Sequence, residues 1–469
     1  MNFFRKLENW LLTLYVFLLP WQTRLIINGG ELNGGAWEYG TMSLYTTEII
    51  LLLLILMRLV TILAGPKTPL PKVSKGLIWA GGATAIISAL SFVWAMNQGL
   101  ALYTALKLLE AVLLAWLVMT SSVHIRTITQ VFVGGAVVQA GIGLWQFFTQ
   151  QAPAQKWLGW AAHEASQLGT FVIEADGERW LRAYGGLPHP NMLGGLLAVA
   201  LLLLFALYWD AYRRMYHWFV ALPDTARRQT WKEERSQIFR FGFELSVYLI
   251  AAAILTLGLI VTFSRGAWLA LVGAAVLTVL IIIWKRDAKK LLAWLKLAIV
   301  MMVMAVLALQ LWPGLVESRF DPSDRLGGIS ADKRGLYQED AIQLLRDNWL
   351  DGVGMGNSTL AVHDSIDNHR EAFDYQPVHN VFLLIPVEIS VFGLIAFGFL
   401  LYELVRLGWI HLKGPLTVNR FTLAGFGAII SLIIIAVFDH YLWSLYFGQL
   451  LFWFGIGFFG RSLKESDNI

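Results

Sequence analysis

The chain has no cysteine, which excludes disulfides, thiolate metal sites and a cysteine nucleophile. It is also poor in charge. Asp, Glu, Lys and Arg make up 14% of its 469 residues, where a soluble globular protein carries about a quarter. Without that polar surface a water-soluble globule is excluded. The net charge of +4 does not argue for nucleic acid, because the basic residues sit mostly in short connections between apolar runs, as membrane topology requires. No internal repeat, low-complexity tract or separate soluble domain divides the sequence. No small-residue cleavage site follows the basic stretch 1–8, which therefore reads as the entry to a span rather than a cleaved leader.

What the chain has in excess is apolar residues, 57% of the total, with 21 tryptophans, many of them near the ends of apolar runs. Runs close to the roughly 20 residues a spanning helix needs occur at 10–27, 45–63, 77–95, 101–119, 127–149, 191–209, 244–263, 267–284, 292–311, 381–404, 421–438 and 442–459. Pro20 and Arg24 interrupt the first. The fold expected is all-α: one polytopic transmembrane bundle of about 12 helices over residues 1–469. An even count puts both termini on one side. Arg5 and Lys6, Lys67, Lys72 and Lys75, Arg126, the basic segment 210–243, Lys285 to Lys290, Arg406, Lys413 and Arg420, and Arg461 and Lys464 then all fall on the same face. The positive-inside rule makes that face cytoplasmic. The basic segment 210–243 is expected to bind membrane headgroups.

Two long connections lie on the other, extracytoplasmic face, 150–190 and 313–378. The second holds about twelve acidic and six basic residues, more charge than topology explains. Three residues at this face stand out. Arg265, in Ser264-Arg265-Gly266 between two apolar runs, occupies a turn too short to be a loop, and a cation at a membrane boundary is costly and tends to be functional. The bland alternative is snorkelling to headgroups. Arg334 opens a periodic stretch in which Tyr337, Ala341, Leu344, Leu345 and Trp349 share a face. With Asp332 as N-cap, 333–349 should be a helix that lies on the membrane domain, with Arg334 near its start, on the apolar face and pointing inward, and Glu339 and Arg346 on the wet face. The start of that helix would itself favour an anion. His379, before Asn380 at the end of the loop, can accept a proton near neutrality. A fourth cluster, Arg182 to Asn191 with Gly185, Gly186, Pro188 and Pro190, forms a turn into the sixth run. Asp439-His440 reads as an ordinary turn. His363, Asp364, Asp367 and His369 match no helical zinc spacing, and no metal site is expected.

In this order the motifs resemble the O-antigen ligase and O-antigen polymerase superfamily of bacterial membrane glycosyltransferases. The resemblance is carried by Arg182 to Asn191, by Ser264-Arg265-Gly266, by Arg334 followed by Asp351-Gly352-Val353-Gly354-Met355-Gly356-Asn357, and by His379-Asn380 with the run through Glu388 and Gly393. It implies a GT-C-like bundle with a large, partly helical extracytoplasmic loop in the bacterial cytoplasmic membrane. It implies a glycan on undecaprenyl pyrophosphate as donor, a lipid or saccharide acceptor, and no cofactor. Arg265 and Arg334 would hold the pyrophosphate and His379 would act on the acceptor hydroxyl, with Arg182, His189, Asn191, Ser264 and Asn380 binding substrate. Ligase and polymerase share these motifs and differ in acceptor. A transporter or flippase is the alternative from another class, and would use charges such as Lys107, Glu110 and Glu388 at mid-membrane.

Overall fold

The structure is a computed structural model that describes residues 2–64, 74–167, 169–175, 177–221, 235–321, 325–414 and 419–466. Its long helices run between an end that gathers the long connections and a far end. They are α1 (Asn2–Leu18), α2 (Thr46–Ala64), α3 (Lys75–Leu90), α4 (Gln98–Thr120), α5 (Ile125–Thr149), α6 (Pro190–Ala221), α7 (Arg235–Val261), α8 (Arg265–Trp284) and α9 (Ala288–Leu311). The loop helices α10 (Pro313–Glu317), α11 (Arg325–Asn348) and α12 (Ser358–Ser365) follow, then α13 (Val381–Lys413), α14 (Arg420–Phe438), the short α15 (Tyr441–Ser444) and α16 (Tyr446–Ser466).

Ten of the described helices are long and apolar enough to cross a membrane. The outside of the bundle is apolar too. On α9, Ile299, Met302 and Val303 are exposed, an arrangement that suits lipid and not water. The multi-pass, all-helical expectation holds, with two differences at the ends. Residues 10–27 are not one span. α1 stops at Leu18, two residues before Pro20, and Arg24–Asn28 is instead strand β1, paired antiparallel with Met42–Tyr45 (β4). Between them lie the two-residue strands β2 (Glu31–Leu32) and β3 (Gly35–Ala36). Proline breaks the helix, and the apolar Leu25, Ile26 and Ile27 of β1 are surface residues that mimic a span in composition. The last run is split at Leu445 between α15 and α16. The charges Arg5, Lys6 and Glu8 in α1, and Gln449, Arg461 and the glycines in α16, dilute both helices. Both are nonetheless packed in the bundle, α1 on α5 and α2, α16 along α4.

α6 is the axis of the molecule. Its spanning stretch is wholly buried, and α5, α7, α8, α9 and α14 pack round it. A side chain at Gly194 would meet the Ala267 Cβ at 2.8 Å and the Ser264 Cβ at 3.1 Å. Glycine thus lets the start of α6 lie directly against the start of α8, and these two helix starts hold the site described below.

The glycine-rich segment after α11 is built into the membrane domain. α13 contains Pro386 and leaves helical geometry at Ile389 and Ser390, which frees backbone carbonyls that lipid cannot satisfy. Val353 N donates to Val387 O and Gly354 N to Glu388 O, both at 2.9 Å. Gly352 has φ +74°, and a side chain on it would meet Glu388 O at 2.5 Å, so only glycine fits. The Glu388 carboxylate accepts from Ser358 Oγ and Trp443 Nε1, each at 2.8 Å.

At the far end, three arginines share two carboxylates. Arg214 Nε lies 3.2 Å and Arg126 Nε 3.3 Å from Asp210, Arg420 pairs with Asp210, and Arg214 and Arg126 both reach Glu244. The basic segment 210–243 is only in part a connection. α6 continues to Ala221 and α7 begins at Arg235, while Arg227, Arg228 and Lys232 lie outside the described residues.

Candidate active site

One cavity of about 690 Å³ opens at the loop end. Arg182, His189, Asn191, Ser264, Arg265, Arg334 and His379 all line it. These come from four separate parts of the chain, so the fold gathers what the sequence spreads over some two hundred residues. Asn380 is not among the lining residues. Its Oδ1 accepts from Phe382 N at 2.9 Å and Leu383 N at 3.2 Å and so caps α13.

The Arg182 to Asn191 turn is fixed by two buried glutamines of α5. Gln146 Oε1 accepts from Tyr184 N and Gly185 N, and Gln139 Oε1 accepts from Gly186 N. Before it, the hairpin β5 (Val172–Ala175) and β6 (Glu178–Leu181) forms one wall. Arg182 is buried. Its Nε donates to Thr262 O at 2.7 Å and its Nη2 to Asn191 Oδ1 at 2.8 Å. Asn191 in turn donates through Nδ2 to Asp439 Oδ2 at 2.8 Å. His189 Nδ1 accepts from Asn191 N at 2.9 Å, which leaves the neutral ring's proton on Nε2.

The Ser264-Arg265 turn is aimed by Phe263, buried with φ +48°, a left-handed conformation that is costly for a bulky residue. Ser264 caps α8 through Ala267 N. Arg265 is exposed to the cavity, with Nη1 3.4 Å from Arg319 O.

Arg334 also faces the cavity, although not as the start of a helix. α11 begins at Arg325, nine positions earlier, and Asp332 lies inside the helix rather than capping it. Gly327, Gly328 and the polar residues beside them hide the helical period in the sequence. No helix N-terminus therefore supplies the positive field at Arg334. The guanidinium does so alone. The face itself is as expected, with Tyr337, Ala341 and Leu344 buried and Glu339 and Arg346 exposed. Trp349 is beyond the helix and 56% exposed.

His379 lies under α11, its ring parallel to Tyr337 at 5.8 Å and edge-on to His440 at 4.7 Å. Asp439 and His440, which looked like a plain turn between two spans, belong to this cluster. The available signal was an Asp-His pair at the same depth as Arg265. His379, Asp439 and His440 each bring one ligand-type atom within 4.8 Å of the others, a set a cation could use. Its surroundings favour an anion instead: seven cationic side chains line the cavity (Arg179, Arg182, Arg265, Arg319, Arg325, Lys333 and Arg334) against two carboxylates (Asp374 and Asp439). Of the cations, Arg325 pairs with Glu174 and Lys333 with Asp374. Arg182, Arg265 and Arg334 make no ion pair among the described residues. The His363 to His369 cluster is spent on its own contacts, His363 with Asp364 and Asn33 and Asp367 with Arg370.

Burial and crowding set the charge states. Burial, with the Arg319 and Arg334 charges, pushes the Arg182 guanidinium down to about 9, so it stays charged at neutral pH. Burial lowers His379, assisted by Arg334 and opposed by Asp439, and brings His440 down to about 3. His189 is also held well below its ordinary value by burial and by Arg182. Burial opposes ionisation of Asp439, but the neighbouring His440, His379 and His189 and the Asn191 amide outweigh it and hold the carboxyl at about 2. At pH 7 the inner part of the site is thus cationic guanidiniums, the Asp439 carboxylate and neutral imidazoles. Arg334 Nε, His379 Nδ1, Tyr337 Oη and Tyr441 Oη are buried without a hydrogen-bond partner among the described residues, an unusual concentration of unsatisfied groups round one cavity.

No curated protein matches the chain. Residues 250–398 match the family model described as O-antigen ligase. The matched span runs from α7 through the Ser264-Arg265 turn, Arg334 and His379 into α13, so this third of the chain is similar to that family and supports a membrane glycosyltransferase of the O-antigen ligase or polymerase type.

Proposed function

We propose that this protein transfers a glycan from undecaprenyl pyrophosphate to an acceptor hydroxyl at the outer face of the bacterial cytoplasmic membrane, with inversion and without a metal ion. The observation that carries the proposal is the cavity that Arg182, Arg265, Arg334 and His379 line together. A pyrophosphate needs paired cationic donors, and planar guanidiniums match its oxygens in a two-pronged way. The acceptor oxygen forms a bond to the anomeric carbon as the bond from that carbon to the pyrophosphate oxygen breaks. The electron pair leaves with the pyrophosphate, where Arg265 and Arg334 stabilise the growing charge. The acceptor's proton passes to His379, neutral at pH 7 and therefore able to take it. In-line attack inverts the anomeric centre.

The basic far end, with Arg126, Arg214 and Arg420, supports a cytoplasmic location for that end and an extracytoplasmic cavity. Transport is less well supported, since the buried charges of the spans have internal partners: Lys107 pairs with Glu48, and Glu110 accepts from Tyr446 Oη at 2.8 Å. Ligation to a terminal lipid-linked or saccharide acceptor is the first reading and repeat-unit polymerisation the second, and the acceptor used distinguishes them.

The test offers purified protein a lipid-pyrophosphate glycan together with a terminal acceptor or with further donor, with and without EDTA. A single ligated product, unaffected by EDTA, is expected. Stepwise growth of one chain would mean a polymerase, loss of activity with EDTA would overturn the metal-free claim, and no transfer to any hydroxyl would overturn the enzyme.

A further inference from the structure

The far end of α6 carries a second cationic pocket. Asn191 stands in the active-site cavity, and Arg213 follows 22 residues later on the same helix. At 1.5 Å per residue that is about 33 Å, close to the roughly 30 Å hydrocarbon thickness of a bilayer. Arg213 therefore stands at the opposite membrane interface. There a cavity of about 450 Å³ is lined by Arg213, Arg214 and His217 of α6 and by Gln237, Arg240 and Phe241 of α7. The spacing explains the arrangement. Residues 213 and 217 lie one turn apart on α6, and 237, 240 and 241 lie one turn apart on α7, so the two faces oppose each other across the cleft.

Of the pocket's arginines, Arg214 belongs to the clamp that holds the helices together, and Arg213 and Arg240 do not. The neighbouring carboxylates Asp210 and Glu244 are taken by Arg126, Arg214 and Arg420. Arg213 and Arg240 have no ion pair among the described residues, and Arg213 Nε is buried with no hydrogen-bond partner. α9 adds positive charge on a neighbouring stripe of α6, with Lys289 over the Tyr216 ring at 4.2 Å and Lys296 over the Tyr212 ring at 4.7 Å. The face of α7 turned away from the bundle carries Phe239 and Phe243, 74% and 62% exposed and stacked at 6.2 Å, as suits the membrane side of the helix. The pocket thus offers the unpaired guanidiniums of Arg213 and Arg240 at headgroup depth. Two forked donors suit phosphate oxygens, and cations at the cytoplasmic interface attract anionic lipid.

We infer that this pocket binds the phosphate of an anionic phospholipid headgroup, with Arg213 and Arg240 as its principal ligands. It is separate from the donor site and does not depend on the reaction proposed there.

The test uses the full chain in phosphatidylcholine nanodiscs doped with phosphatidylglycerol, with retained lipid counted by native mass spectrometry after extraction. The wild type should keep phosphatidylglycerol in preference to phosphatidylcholine. Arg240→Gln alone, at an exposed position, should weaken retention several-fold, and Arg213→Gln with Arg240→Gln by about 30-fold, as expected for two charges at a membrane surface. Inorganic phosphate at millimolar concentration is the competing arm. Retention that survives it supports a lipid ligand, whereas displacement by phosphate would replace the lipid with a soluble anion and overturn the proposal. Equal retention by wild type and Arg240→Gln would overturn it as well, whether or not the double variant folds.

Discussion

The two ends of the molecule each hold a group of arginines, and they use them differently. At the far end, Arg126, Arg214 and Arg420 close on Asp210 and Glu244, so most of the charge is balanced within the bundle and the group ties α5, α6, α7 and α14 together. At the loop end, Arg182 is held by a backbone carbonyl and an amide, Arg265 reaches the Arg319 carbonyl, and Arg334 Nε is buried and without a hydrogen-bond partner among the described residues. A guanidinium fixed by neutral groups keeps its full charge for a ligand, whereas one fixed by a carboxylate does not. Arginine content alone therefore marks neither end as a site. At either end a carboxylate partner separates a clamping cation from one left for a ligand, as Arg325 with Glu174 differs from Arg265, and Arg214 from Arg213 and Arg240.

Substitutions at both ends should sharpen that contrast. The largest effect is expected at His379, where replacement by glutamine should slow transfer ~10²–10⁴-fold while leaving donor binding intact. Donor binding measured alongside turnover separates the two, and unchanged turnover would remove His379 from the chemistry. Arg265→Ala and Arg334→Ala should each cost ~10²–10³-fold in kcat, with the protein still folded. A loss of thermal stability equal to that of a far-end variant would erase the distinction drawn between the clusters. At the far end, Asp210→Asn should destabilise the fold by about 2–3 kcal/mol, in the lower range for a broken buried pair because Arg126 and Arg214 keep some water contact. Activity per folded molecule should be unchanged, and thermal unfolding in detergent with an activity assay on the folded fraction would check both. A drop in kcat without a drop in Tm would show that the far end serves catalysis.

The smallest effect is the pH profile. Burial lowers the pKa of His379, and the neutral ring is the active base, so transfer should rise with pH through a limb centred below about 6.5, the ordinary histidine value. The same shift acts on stability. The unfolded chain binds the proton first, so the contribution is complete above about pH 6.5 and is lost as the pH falls below it. An acid limb centred above that value would contradict a buried neutral base.

Much of this was legible in the sequence. Span positions, helical class and the anomalous positions of Arg265 and His379 follow from hydropathy and from the cost of charge at a membrane boundary, which are local properties. Even the depth of each residue follows, since a spanning helix has a fixed rise. The errors were local as well. Pro20 ended α1, and the exposed apolar strand Arg24–Asn28 passed for membrane. The polar first turns of α11 carry no apolar period, so the helix seemed to open near Arg334 when it opens at Arg325.

What composition and periodicity determined is which residues sit at which depth and which of them are out of place there. Only the tertiary structure decided which meet. The pairing of Asn191 with Asp439 spans 248 positions, and the glycine-rich segment 352–356 became a patch on a broken helix, because lipid leaves free carbonyls no other partner. One sequence cannot encode lateral distance between helices at the same depth, because that depends on packing such as the contact of Gly194 with Ala267. That packing turns scattered cations into a site at one end and a clamp at the other.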